Sequence, residues 1–147
     1  MAEVKATAER VIDKPSDAVY AALADYAGTR AGILPENYSE YEVLEGGTGA
    51  GTKVHWKLQA TKKRVRDCLL RVTEPAPGTL VESDQNSTMV TTWTVKPQGE
   101  GASAVHVQTT WQGAGGVAGF FESTFAPLGL RRIHEATLDR LAATVRS

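Results

Sequence analysis

The sequence has a single cysteine, Cys68, among its 147 residues. An intrachain disulfide is therefore impossible, and a zinc site built mainly from thiolates is excluded. Charge of one sign is lacking as well: 16 Lys+Arg stand against 17 Asp+Glu, which argues against a protein that coats nucleic acid. No apolar run approaches the ~18 residues needed to span a bilayer, so stable membrane insertion is not expected. The opening MAEVKATAERVID lacks the charged, apolar, small-residue order of a secretory signal, and we expect a cytoplasmic protein. What is present is ordinary for one folded domain, residues 1–147 with a single core: 41% hydrophobic and 22% charged residues.

The order of periodicities gives the layout. Val4, Thr7, Val11 and Ile12 make Glu3–Asp13 a first strand, closed by Pro15. Val19, Ala22, Leu23 and Tyr26 recur at three- and four-residue spacing, which predicts a short helix over Asp17–Tyr26, and Thr29–Leu34 supplies one further turn before Pro35. Strand-length segments follow: Tyr38–Glu45, Thr52–Ala60, Lys63–Glu74, Thr79–Asn86, Thr88–Lys96 and Ser103–Gln112. They are separated by glycine- and proline-rich turns, and short loops imply antiparallel pairing. Leu130, Ile133, Thr137, Leu138, Leu141 and Val145 then repeat with helical period, so a long helix is expected from Leu128, with a kink or break at Pro127. The fold class is α+β.

Alternation within the strands assigns an interior. Val54, Trp56 and Leu58, then Cys68, Leu70 and Val72, then Trp93 and Val95, then Val105, Val107 and Trp111 fall on one face. Lys53, His55, Lys57, Asp67, Arg71, His106 and Gln108 fall on the other. A sheet of this size presents more apolar surface than one helical stripe covers. Either the short helices and Phe120–Phe125 complete a solid core, or a cavity of ~300–1,000 Å³ remains, the usual size of a small-molecule site.

These segments resemble a known group of proteins. Ile12-Asp13-Lys14-Pro15-Ser16-Asp17-Ala18-Val19-Tyr20-Ala21-Ala22-Leu23, Gly49-Ala50-Gly51-Thr52, Glu74-Pro75-Ala76-Pro77 and Trp93-Thr94-Val95-Lys96-Pro97 are similar, in order and spacing, to the START/Bet v 1-like (SRPBCC) superfamily. The likeness is to its bacterial polyketide cyclase/dehydrase and lipid-transport branch, with Lys14 in place of the usual Ala and Tyr20 in place of the usual Trp. The resemblance implies a helix-grip fold: a seven-stranded curved antiparallel sheet around a long C-terminal helix, with two short helices after the first strand. It also implies a pocket for a small hydrophobic or lipid-like ligand. The wall is expected from Trp56, Leu58, Leu70, Trp93, Val107, Trp111, Phe121 and Phe125.

Chemistry within such a pocket needs an acid or base in reach of the ligand. Arg66 and Glu82 share the inward parity, although a place at the wet rim suits either, and Tyr26, Tyr38 and Tyr41 offer phenols at the mouth. With Arg66, Glu82 and Tyr26 as candidates, the alternative to a carrier is a cyclase, aromatase or dehydratase. His55 and His106 are expected in solvent and His134 at an edge of the long helix, so no metal site and no cofactor is expected. Gly113-Ala114-Gly115-Gly116-Val117-Ala118 fits a dinucleotide fingerprint in letters but lacks a following parallel strand. A third reading is an interaction module using the basic run Lys62-Lys63-Arg64-Val65-Arg66. A monomer or a homodimer is expected.

Overall fold

The computed structural model describes the backbone of residues 3–61, 64–112 and 116–146, and side chains within them apart from those of residues 3, 60, 61, 64, 116–127 and 146. The elements run β1 (Glu3–Ile12), α1 (Ser16–Ala24), α2 (Thr29–Gly32), β2 (Tyr38–Glu45), β3 (Lys53–Thr61), β4 (Arg64–Ala76), β5 (Thr79–Asp84), β6 (Val90–Pro97), β7 (Ser103–Gln112) and α3 (Gly116–Arg146). The strands form one antiparallel sheet in the order β1-β7-β6-β5-β4-β3-β2. This is the expected α+β helix-grip layout.

The alternation read from the sequence governs which face is covered. β7 alternates buried and half-buried residues along Ser103–Trp111, and β5 buries Leu80, Glu82 and Asp84 in turn. Register shifts at Ser39/Glu42, Val43/Glu45, Leu58/Thr61 and Thr73/Ala76 mark bulges, which bend strands and let the sheet curl. α3 packs against β1, β3 and α1 through Leu130, Ile133, Leu138 and Leu141, all buried.

α1 buries Val19 and Leu23 completely, as its spacing requires. The glycine-rich β2–β3 loop is strapped to the end of this helix: Gly49 N–H donates to Ala24 O at 2.9 Å and Ala27 N–H to Gly47 O at 3.1 Å. Glu74 completes the strap by accepting from Ala50 N–H at 2.6 Å and from the Tyr20 hydroxyl.

The long helix corrects one expectation. It does not begin after Pro127 but runs as one element from Gly116 to Arg146, about 46 Å at ~1.5 Å per residue. A proline inside a helix forfeits one of its backbone hydrogen bonds, and here the helix continues past it.

Gly78, in the β4–β5 turn, has φ +76°, and a Cβ there would stand 2.6 Å from the carbonyl oxygen of Val95. Gly99 has φ +70° with open space around it. Left-handed backbone alone costs an alanine about 1–2 kcal/mol. Gly78→Ala is therefore expected to lose clearly more stability than Gly99→Ala in urea unfolding, the excess measuring the clash with Val95.

Candidate functional site

The interior contains a charged pair. Arg30 Nη2 lies 2.7 Å from Glu82 Oε2, and each side chain is 2% exposed. Glu82 comes from the inward-facing parity of β5, while Arg30 comes from the four-residue helix α2. The carboxylate also accepts from the Tyr26 hydroxyl at 2.5 Å and from Trp93 Nε1 at 3.2 Å. Arg30 donates through Nη1 to Leu23 O at 3.2 Å, and its guanidinium lies 4.9 Å from the Tyr26 ring centre and 4.7 Å from that of Trp93. Each charge thus meets its opposite and a set of hydrogen bonds or aromatic faces, the condition under which a buried pair is tolerated.

A second polar group adjoins the first. His134, buried on α3, shares a hydrogen bond with Thr109 Oγ1 at 2.8 Å, and Thr109 shares one with Thr91 Oγ1 at 2.7 Å. The Trp93 ring meets the imidazole edge-on at 6.1 Å between centres. Arg30 Nε and His134 Nδ1 are buried and have no hydrogen-bond partner among the described residues.

Burial sets the ionisation of these groups. It pushes the His134 pKa down to about 4, helped by the Arg30 charge, so the imidazole is neutral at pH 7. It raises the Tyr26 phenol, with the Glu82 charge acting in the same direction. The Tyr41 phenol is pushed up to about 12, mainly by burial. For Arg30, burial opposes the charge, but Glu82 and Tyr26 restore it and hold the pKa above its usual value.

A cavity of about 10 Å³ lies between these groups, the room of about one water molecule. Arg30, Glu82, Trp93, His134, Thr109 and Thr91 border it on the polar side, and Tyr38, Trp56, Leu58, Leu70, Met89 and Leu130 on the other. Among the described side chains, which exclude those of residues 116–127 on α3, the space is smaller than the ~300–1,000 Å³ anticipated for a site of this class. The Arg30 side chain, with Glu82, borders this space and takes up part of the room between sheet and helix.

The expected residues divide clearly. Trp56, Leu58, Leu70 and Trp93 border the cavity. Val107 and Trp111 are buried in the core without bordering it, and Trp111 Nε1 has no partner among the described residues. Phe121 and Phe125 lie outside the described side chains, as do Lys62 and Lys63 of the basic run. Glu82 is not at a wet rim, nor Tyr26 at a mouth, nor His134 at an edge; all three are buried. The charge of Glu82 can stay inside because Arg30 neutralises it there. Arg66, paired across the ladder with Leu58, is half-buried and does not border the cavity.

Arg30 was not among the candidates. It sits in a short turn beside Gly28, where arginine is ordinarily exposed, and the only hint was that an inward Glu82 requires a cation. His134 carried a better signal: it falls four residues after Leu130 and four before Leu138, on the buried stripe. On the outer face, His55 bonds Asp67 at 2.5 Å and Lys57 pairs with Glu40 at 2.7 Å. Among the described residues no group of three His, Cys, Asp or Glu side chains is placed to hold a metal ion, and no helix is long and apolar enough to cross a membrane.

A curved sheet gripping a long helix over a partly polar cavity defines a helix-grip protein of the START/Bet v 1-like superfamily. The chain belongs to the family described as polyketide cyclase / dehydrase and lipid transport, whose model matches residues 3–146. Among solved structures, the KanY protein, determined by NMR in solution, is 52% identical over 100% of both chains with a TM-score of 0.90. An aromatase/cyclase from Streptomyces sp. R1128 is 15% identical, covering 99% of this chain and 94% of its own, with a TM-score of 0.78. A START superfamily protein from Mycobacterium smegmatis is 11% identical over 97% of each chain with a TM-score of 0.72. The last two likenesses speak for the fold alone. No curated protein matches the chain.

Two outcomes follow for stability. Arg30→Met leaves Glu82 buried without its cation and is expected to cost about 3–5 kcal/mol in urea unfolding, while Arg30→Met with Glu82→Leu recovers much of that loss. The second concerns pH. An unfolded imidazole takes up a proton near pH 6.5 and the folded His134 only near pH 4, so protons favour the unfolded chain between these values. His134 therefore contributes stability in full above about pH 6.5, and up to about 3 kcal/mol of it is lost as pH falls toward 4. His134→Gln is expected to remove that part of the pH dependence in a series of unfolding curves.

Proposed function

We propose that this protein binds a small ligand with an apolar body in the space between the sheet and α3, as a carrier or sensor. The observation that carries this reading is the cavity itself. Trp56, Leu58, Leu70, Met89 and Leu130 offer an apolar wall, opposite buried polar atoms that have no partner among the described residues. A solid core gains nothing from unsatisfied polar atoms, whereas a binding site uses them to orient its guest. The family description, which names lipid transport, supports the same reading. A benzene-sized guest occupies a cavity of about 150 Å³, so the lining has to move outward when a ligand enters.

That movement is measurable, because Trp56 and Trp93 belong to the lining. Native mass spectrometry of protein isolated from its own source is expected to show a non-covalent adduct, and rebinding of the released compound to shift tryptophan emission. Trp93→Ala is expected to weaken rebinding at least tenfold. Protein that carries no adduct and gives no emission change with a panel of lipids and aromatic polyketides would refute the reading.

A cyclase- or dehydratase-type enzyme is the second reading. It is favoured by a neutral imidazole and a carboxylate bordering one cavity, the carboxylate hydrogen-bonded to the Tyr26 phenol, groups able to exchange protons with a ligand. Loss of water from a poly-β-ketone probe, abolished by His134→Gln with binding retained, would establish it.

A further inference from the structure

The electrostatics of the cavity restrict what enters it. Arg30 and Glu82 both border the space, lie 2.7 Å apart and are almost fully withdrawn from water. Their charges cancel within the site. Among the described residues the other ionisable side chains bordering it, Tyr38 and His134, are neutral at pH 7: burial raises the first and lowers the second. A carboxylate ligand would bring a third charge to a guanidinium already committed to Glu82 and would repel that carboxylate across low-dielectric space.

What the cavity offers instead is hydrogen bonding. Arg30 Nε carries an N–H with no acceptor among the described residues, and His134 Nδ1 is likewise unpartnered. Both side chains touch Trp93, the guanidinium over the ring and the imidazole edge-on. Because His134 Nε2 shares its bond with a hydroxyl, the imidazole can adopt either tautomer, and Nδ1 donates in one and accepts in the other. A ligand hydroxyl in reach of both would satisfy them together, accepting from Arg30 Nε–H and donating to His134 Nδ1. A ligand carbonyl accepts from one or both.

We propose that the ligand is uncharged and oxygenated, with a hydroxyl or carbonyl seated on Arg30 Nε and His134 Nδ1, and that carboxylates such as free fatty acids are rejected. This rests on the binding reading above and specifies its ligand class. Naphthol and naphthoate, which share a ring system and differ in charge at neutral pH, are suitable probes for titration calorimetry. The expected result is at least tenfold tighter binding of naphthol, together with a shift of the His134 ring-nitrogen resonance when naphthol is added. Glu82→Gln removes the internal counter-charge and is expected to raise naphthoate affinity about tenfold, with a smaller change for naphthol. The wild-type comparison and the His134 resonance stand without that variant should it fail to fold. Naphthoate binding as tightly as naphthol to the wild type would overturn the charge rule while leaving the pocket in place. Naphthol binding with an unmoved His134 resonance would overturn the assigned atoms. If neither probe binds, the binding reading falls, and this inference with it.

Discussion

Placing a guanidinium and a carboxylate side by side out of water is costly unless each finds its counterpart and the remaining donors and acceptors are met. The Arg30–Glu82 pair meets that condition at every atom but Arg30 Nε, and it does so through four different elements or junctions. β5 supplies the carboxylate, α2 the guanidinium, the α1–α2 link Tyr26, and β6 the indole of Trp93. Because each contact is buried, solvent does not screen it, and none of these pieces can shift without exposing a charge to an apolar interior. The pair is thus a constraint on the arrangement of one end of the molecule as much as a feature of the site.

This explains why two short helices sit between the first and second strands. α2 is only four residues long and would not persist alone. It holds because Arg30 reaches Leu23 O and Glu82, and because Thr29 N–H and hydroxyl both donate to Asp25 Oδ2. Tyr41 ties β2 to the same junction through its hydroxyl, which donates to Tyr26 O at 2.6 Å, and stacks on Trp56 at 5.9 Å. Tyr26, Tyr41 and Trp93 are therefore held by polar anchors at their rims.

Much of the architecture was legible because period-2 alternation and helical spacing are local properties. Trp56, Leu58, Leu70 and Trp93 reached the cavity wall as their parity demanded. The same parity put Glu82 inside, but the ordinary preference of carboxylates for water argued for the rim, and that preference gave way to a partner about fifty residues away. Arg30 was illegible for the same reason: nothing near it in sequence requires its burial. Pro127 shows the opposite limit: a local rule allowed a break there, and the helix runs through it as one element. The size of the space among the described residues was beyond the sequence, because it depends on how the bordering side chains pack.

The sheet order has a bearing on synthesis of the chain. β1 pairs within the sheet only with β7, and about ninety residues separate the end of one from the start of the other. At ribosomal rates of roughly 5–20 residues per second, the first strand waits several seconds for its neighbour. During that interval it is a lone extended segment with Val4, Ala6, Ala8 and Ile12 destined for the core. Lys5, Glu9 and Arg10 interleave with these apolar positions and act as gatekeepers against pairing with the nascent strands of other chains.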